Sequence, residues 1–157
     1  MSSAIEEFAA AARRARPEAN IGAVKVRTFG GGPAMCNIIV PLIMIGQKTG
    51  TFALASEFDA DPTAAPQAGD DYVVTWFEGP PALLFRVTHT EVVPFEGINH
   101  GHVQVEGPNA RNVEVWRQIH WEYWGKILRA AGREPSLTMP VLFQRFEMLY
   151  PVFNPGK

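Results

Sequence analysis

The sequence predicts an α+β fold, a small curved sheet flanked by helices. Three observations carry this reading. An apolar stripe at helical spacing runs through residues 113–131. Runs rich in β-branched and aromatic residues at 72–77, 82–93 and 141–150 are bounded by Gly, Pro and Asp. Along the chain the order is helix, helix, several strands, helix, strand.

Each element has a local cause. Ser3 is placed to cap a first helix, with Ile5, Phe8, Ala9 and Ala12 on one face. Arg13, Arg14 and Arg16 suit its C-terminal end, and Pro17 closes it. Residues 24–29 read as a short extended piece. Gly30-Gly31-Gly32 is a break, and Pro33 opens a second helix to about residue 45, which Pro41 kinks or splits. Gly46 ends it. A strand is predicted over 51–57, then a surface loop over 59–70 rich in Asp, Ala and Pro. The turn at 67–71 leads into the strand at 72–77. The turn at 78–81 leads into a long, bent strand over 82–93. Residues 95–108 read as irregular. In the long helix, Val113, Trp116, His120, Trp124 and Ile127 form the stripe, and Gly132 stops it. In the last strand Leu142, Phe146, Met148 and Tyr150 alternate imperfectly with Gln144, Arg145 and Glu147.

Composition bounds the function classes. At 157 residues the chain is long enough for one domain with a real core. Apolar residues make up 46% and charged residues 19%, as in an ordinary globular protein. A net charge of −2 gives no signal for duplex DNA, although a local basic cleft stays possible. Cys36 is the single cysteine, so no internal disulfide and no cysteine-based zinc site can form. The first 20 residues lack the apolar core of a signal peptide. The longest apolar run, 38–45, contains Pro41 and falls short of the roughly 20 residues of a membrane helix. A soluble cytoplasmic protein with no membrane association is expected. No dinucleotide fingerprint, P-loop or nucleophile elbow is present, so neither a cofactor nor a metal is expected.

The richest segment is Gly46-Gln47-Lys48-Thr49-Gly50-Thr51, a lysine between two glycines with hydroxyls one and three positions after it. Lys48 can serve as a charge for phosphate, or as a base where burial lowers its pKa. On composition alone the turn reads instead as a helix cap with a solvated lysine. Thr51 offers a hydroxyl nucleophile and Glu106 a proton relay, but sequence spacing does not bring Glu106 to Lys48. His100 and His102 read as solvated loop residues and His120 as a packed structural one. Trp76 and Trp121 are candidates to stack on a ligand. Arg145 reads either as a snorkelling residue or as a partner for carboxylate or phosphate.

Taken in order, the motifs resemble the ASCH-domain family, whose fold is similar to the PUA domain. They are Gly46 to Thr51, Gly69-Asp70, Val92-Val93-Pro94-Phe95, Glu106-Gly107, Trp116-Arg117-Gln118-Ile119-His120-Trp121 and Arg145-Phe146-Glu147-Met148-Leu149-Tyr150-Pro151. The resemblance covers residues 24–151, leaving 1–20 as an N-terminal helical extension to a domain at 21–157. It implies a small β-barrel of about five to six strands flanked by helices. It also implies a cleft that binds RNA, a nucleotide or a modified nucleoside, lined by Gly46, Thr49, Trp76, Trp121 and Arg145. Some relatives hydrolyse an N-acylated cytidine with a lysine, a threonine three residues later and a glutamate. Carried over, these are Lys48, Thr51 and Glu106. Other relatives cleave RNA, which makes a metal-assisted ribonuclease a further possibility. The chain departs from the amidohydrolase pattern at Ala53, where those relatives have an arginine. Pro108 and Ala110 stand where acidic residues are common, and Asn112 where a serine is.

Overall fold

The computed structural model describes residues 2–153. The first helix, α1 (Ser3–Ala15), is capped by Ser2 and not by Ser3. The Ser2 hydroxyl accepts from Ile5 N at 3.3 Å, a bond only a residue just outside the helix can make. Ile5, Ala9 and Ala12 form its buried stripe. β1 (Val24–Thr28) follows, then α2 (Pro33–Met44), which runs through Pro41 as a single helix and is not split. β2 (Gly50–Leu54) is shorter than predicted. Leu54 pairs with Val141 at the start of β5, and the chain beyond it winds into a 3₁₀ turn at Ala55–Phe58.

β3 (Asp71–Thr75) also stops early, before a turn in which Glu78 has φ of 48°. β4 (Pro81–Pro94) is the long strand, with register shifts at Leu84/Phe85 and Val87/His89 that bend it. The stretch expected to be irregular contains a 3₁₀ turn at Phe95–Gly97 and one short helix, α3 (His100–Val103). α4 (Val113–Ala130) and β5 (Pro140–Tyr150) complete the fold.

The five strands form one mixed sheet in the order β1-β3-β4-β5-β2. β1 runs parallel to β3, and the other neighbours are antiparallel. The strand count meets the expectation, but β1 and β2 are the edges of an open sheet, and barrel closure is not observed.

Alternation in the central strands sends successive side chains to opposite faces, and helices cover both. α1 packs on one face against Val73, Leu84 and Leu149, so the predicted extension shares a core with the sheet. α2 covers the other face, where Cys36, Val40 and Ile43 meet Val74, Leu83, Phe85 and Phe146. The rings of Phe85 and Phe146 stack there at 4.2 Å. α4 covers the β2–β5 end, where Trp116, Trp124 and Leu128 pack on Phe52, Leu54, Val93, Val141 and Phe143. Its buried stripe advances every four residues, so Leu128 takes the place expected of Ile127, which is 42% exposed.

Gly50 sets how closely the segment before α4 approaches β2. A Cβ at Gly50 would lie 2.3 Å from the Gln144 carbonyl oxygen and 2.8 Å from the Val105 side chain. Neither the paired strand nor the packed valine can yield cheaply. Gly50→Ala is therefore expected to cost about 3 kcal/mol in urea denaturation. Gly22→Ala, with nothing within 4 Å of the new methyl, should stay within about 0.5 kcal/mol. Equal costs at the two positions would refute the close-approach argument.

Candidate functional site

The site begins where α2 ends. Gly46 adopts φ of 76°; its N–H donates to Ile43 O at 3.1 Å, and Gln47 N–H to Leu42 O at 2.9 Å. This pair of bonds is a Schellman cap. Gly46 is thus the helix cap that composition suggested, yet Lys48 is not solvated: it is 6% exposed. Lys48 N also donates to Leu42 O, at 3.0 Å, and Thr49 N donates to Val105 O, at 2.8 Å. Arg111 clamps the turn to the Glu106 segment, with Nε on Glu106 O at 2.8 Å and Nη2 on Gln47 O at 2.7 Å.

That stitching delivers a carboxylate to the lysine. Lys48 Nζ donates to Glu106 Oε1 in a buried ion pair, with Glu106 8% exposed. α4 supplies the third member. Asn112 caps its N-terminus by accepting from Glu114 N and Val115 N. The helix then carries His120 to a position where Nε2 lies 4.0 Å from Glu106 Oε2. His120 Nδ1 sits 2.8 Å from Trp116 O, and because a carbonyl can only accept, Nδ1 carries the proton. Nε2 of the neutral ring is left as an acceptor facing the carboxylate. Burial pushes the imidazole below its ordinary pKa and Lys48 adds to the push, while the Trp116 carbonyl and Glu106 pull the other way. Lys48, Glu106 and His120 can therefore hold and pass a proton.

A cleft of about 320 Å³ has Lys48 in its wall; Glu106 and His120 stand behind that lysine and are not among the lining residues. Gly46, Lys48 and Thr49 line it with Arg16 and Glu147, and Ile43, Met44, Phe146, Met148 and Phe153 are among its apolar walls. The other candidate residues lie elsewhere. Thr51 pairs across from Gln144, so its side chain leaves β2 on the face opposite to Phe52, whose ring is 6.0 Å from that of His120. Trp76 is half-buried beside the α2 core, and Trp121 is half-buried with its ring 5.4 Å from that of Phe95. Arg145 is exposed, its guanidinium 5.1 Å from the Phe143 ring centre. His102 is 4.0 Å and His89 3.4 Å from Glu91, but no three His, Cys, Asp or Glu side chains among the described residues are placed to hold a metal ion. Nor is any described helix long and apolar enough to cross a membrane.

Sequence reasoning missed Arg111 and the second contact of His120. Arg111 lies five residues after Glu106 and gave no pattern. His120 on an apolar stripe was a signal, read only as packing.

Comparison with known proteins agrees with this architecture. The model of the ASCH domain matches residues 25–150, and the chain belongs to that family. A crystal structure of an ASCH domain from Lactobacillus crispatus is similar, with 18% identity and a TM-score of 0.85 over 96% of this chain and 97% of that one. A DUF984 protein from Enterococcus faecalis is 20% identical, with a TM-score of 0.79 over 96% of this chain and 92% of that one. No curated protein sequence matches the chain.

Two outcomes follow from the buried triad. Glu106→Gln leaves the ammonium without a counter-charge and is expected to cost about 3–5 kcal/mol. Adding Lys48→Met should restore part of it, and strictly additive losses in denaturant titrations would refute the coupling. His120 has its pKa lowered by folding, so its protonation favours the unfolded chain. Its contribution is full above the unfolded value of about 6.5 and is lost as pH falls below it. An NMR titration should place His120 below the ordinary histidine value; a midpoint at or above that value would contradict the reading.

Proposed function

We propose that this ASCH-domain chain binds a nucleoside-type ligand, free or within RNA, in the cleft lined by Gly46, Lys48 and Thr49. The observation that carries the reading is the pairing of Lys48 with Glu106 beside that cleft. An unpaired lysine would offer a point charge suited to phosphate. With the Glu106 carboxylate behind it, Lys48 offers the cleft a donor of little net charge, next to the acceptors of Thr49. That combination suits the edge of a nucleobase, which presents amide-like N–H and C=O groups. The Thr49 hydroxyl adds a donor and acceptor at the same rim. The apolar walls from Ile43, Met44 and Phe146 suit the flat face of a base, and the volume lies in the range of small-molecule sites. Arg16, at the rim, is suited to the ribose or phosphate that would follow the base.

A second reading uses the same cleft for hydrolysis of an N-acylated cytidine. Its support is the approach of three proton-carrying groups, Lys48, Glu106 and His120. Glu106 or His120 would take a proton from a water as its oxygen bonds to the acyl carbon, Lys48 would stabilise the developing oxyanion, and the proton would pass to the cytidine amine as the C–N bond breaks. Thr51 is the less supported member, because its side chain leaves the opposite face of β2.

Calorimetric titration with cytidine and with N-acetylcytidine tests both. Lys48→Met combined with Glu106→Gln removes the charges together and avoids an unpaired ion. It is expected to weaken binding about tenfold or more while the fold is retained, with a melting temperature above that of Glu106→Gln alone. Equal affinity in that variant would remove the turn as the contact. Release of free cytidine, followed by chromatography, would raise the hydrolytic reading above the binding one, and its absence across several N-acylated nucleosides would eliminate it.

A further inference from the structure

The inner face of the sheet holds a second polar group whose donors are not satisfied. Arg27 leaves β1 and donates from Nη1 to Gln144 Oε1 on β5 at 2.9 Å. Gln144 is 0% exposed, and its Nε2 has no hydrogen-bond partner among the described residues. Turning the amide over would set its NH₂ against the guanidinium, donor to donor, so the assignment of oxygen and nitrogen is fixed. Thr51 stands directly opposite Gln144 in the β2–β5 register. Their side chains therefore share a face, with Cβ atoms about 5 Å apart. Thr51 is itself 8% exposed.

Arg27 lies with its guanidinium 4.5 Å from the Phe29 ring centre, and burial lowers its pKa below the ordinary value. The charge of Glu57 acts on it, but none of the ion pairs among the described residues includes Arg27. Arg27 keeps partial exposure as a residue while its charged end is largely buried. As a strut between strands Arg27 would need only the one bond to Gln144, and the amide donor beside it would gain nothing. Native proteins leave few buried donors unpaired, and here the unpaired donor adjoins an unpaired cation and a hydroxyl.

We infer that this seam binds an oxyanion, the phosphate or carboxylate of a small ligand, held by the Arg27 guanidinium, Gln144 Nε2 and the Thr51 hydroxyl. An anion there would accept charge-assisted bonds from free guanidinium N–H groups and the bond the amide lacks. The inference is independent of the nucleoside reading, since the cleft beside Lys48 has none of these three residues in its walls.

The test is an NMR titration of the full chain with inorganic phosphate and, separately, acetate, following the Gln144 side-chain amide. A saturable shift is expected. Phosphate alone would select a phosphorylated ligand, acetate alone a carboxylate, and a response to both would leave the oxyanion assignment intact. Arg27→Met should weaken binding about tenfold or more. Gln144→Glu should do the same with the fold retained, because the new carboxylate pairs with Arg27 internally. Lys126→Met, an equal change of charge on α4, should bind as the unaltered chain does. Absence of a saturable response to either anion at about 50 mM, where a millimolar site would fill, would overturn the proposal. So would undiminished affinity in both Arg27→Met and Gln144→Glu.

Discussion

Taking the ammonium of Lys48 out of water is the constraint on which the rest of this site depends. A buried lysine needs a counter-charge, and the one it has, Glu106, lies 58 residues further along the chain. The two segments must therefore be held in contact by means that do not rely on the ion pair itself. The Schellman cap at Gly46 aims the turn, Thr49 bonds to Val105, and Arg111 bridges the carbonyls of Gln47 and Glu106. Gly50 lets Val105 come close enough for this to happen. Asn112, next to Arg111, then starts α4 at a fixed position, and the four-residue stripe from Trp116 puts His120 beside the carboxylate. A buried pair of this kind adds little net stability, because desolvation offsets most of the attraction. Its consequence is specificity of arrangement: the wrong approach of residues 105–107 leaves a charge stranded.

The open sheet gives the domain two chemically different polar regions. On the Phe52 side of β2, lysine, glutamate and a neutral imidazole sit together, with Lys48 donating to Glu106 and His120 Nδ1 to the Trp116 carbonyl. On the opposite side, Thr51 and Gln144 face an arginine that no carboxylate neutralises within ion-pair distance among the described residues. The bond from Arg27 to Gln144 links β1 to β5, which β3 and β4 separate in the sheet order. Such a bond requires the sheet to curl until strands three places apart face each other.

The parts of the fold legible in the sequence are those decided by local periodicity. The stripes of α1 and α4 and the long β4 could be read because burial there follows one face of one element. Ends set by a partner could not. β2 stops at Leu54 because β5 begins at Pro140, and nothing in residues 51–57 reports where a strand 86 positions later starts. Gln144 shows the same failure inside a strand. Grouping by polarity sets it with Arg145 and Glu147, but it shares the parity of Leu142 and Phe146 and is buried with them. At the site, glycine spacing located the turn and its cap. The burial of Lys48 was invisible because its cause is distant in sequence. The ordered motifs of the ASCH resemblance carried that distant information in another form, by placing Glu106 in the same pattern as the turn.

The charge state of His120 sets the hydrogen-bonding character of the Lys48 region. Its Nδ1 proton is committed to the Trp116 carbonyl, so any further proton must enter at Nε2, against the Glu106 carboxylate. Burial opposes that protonation, and Lys48 opposes it further. With the imidazole neutral, two acceptors, Nε2 and Oε2, face each other across 4.0 Å. Two acceptors at that separation leave room for a proton donor to be shared, which a ligand N–H or a water hydrogen can provide and a phosphate oxygen cannot. The proposed preference for a neutral hydrogen-bonding edge over an anion on this side of β2 rests on these two acceptors.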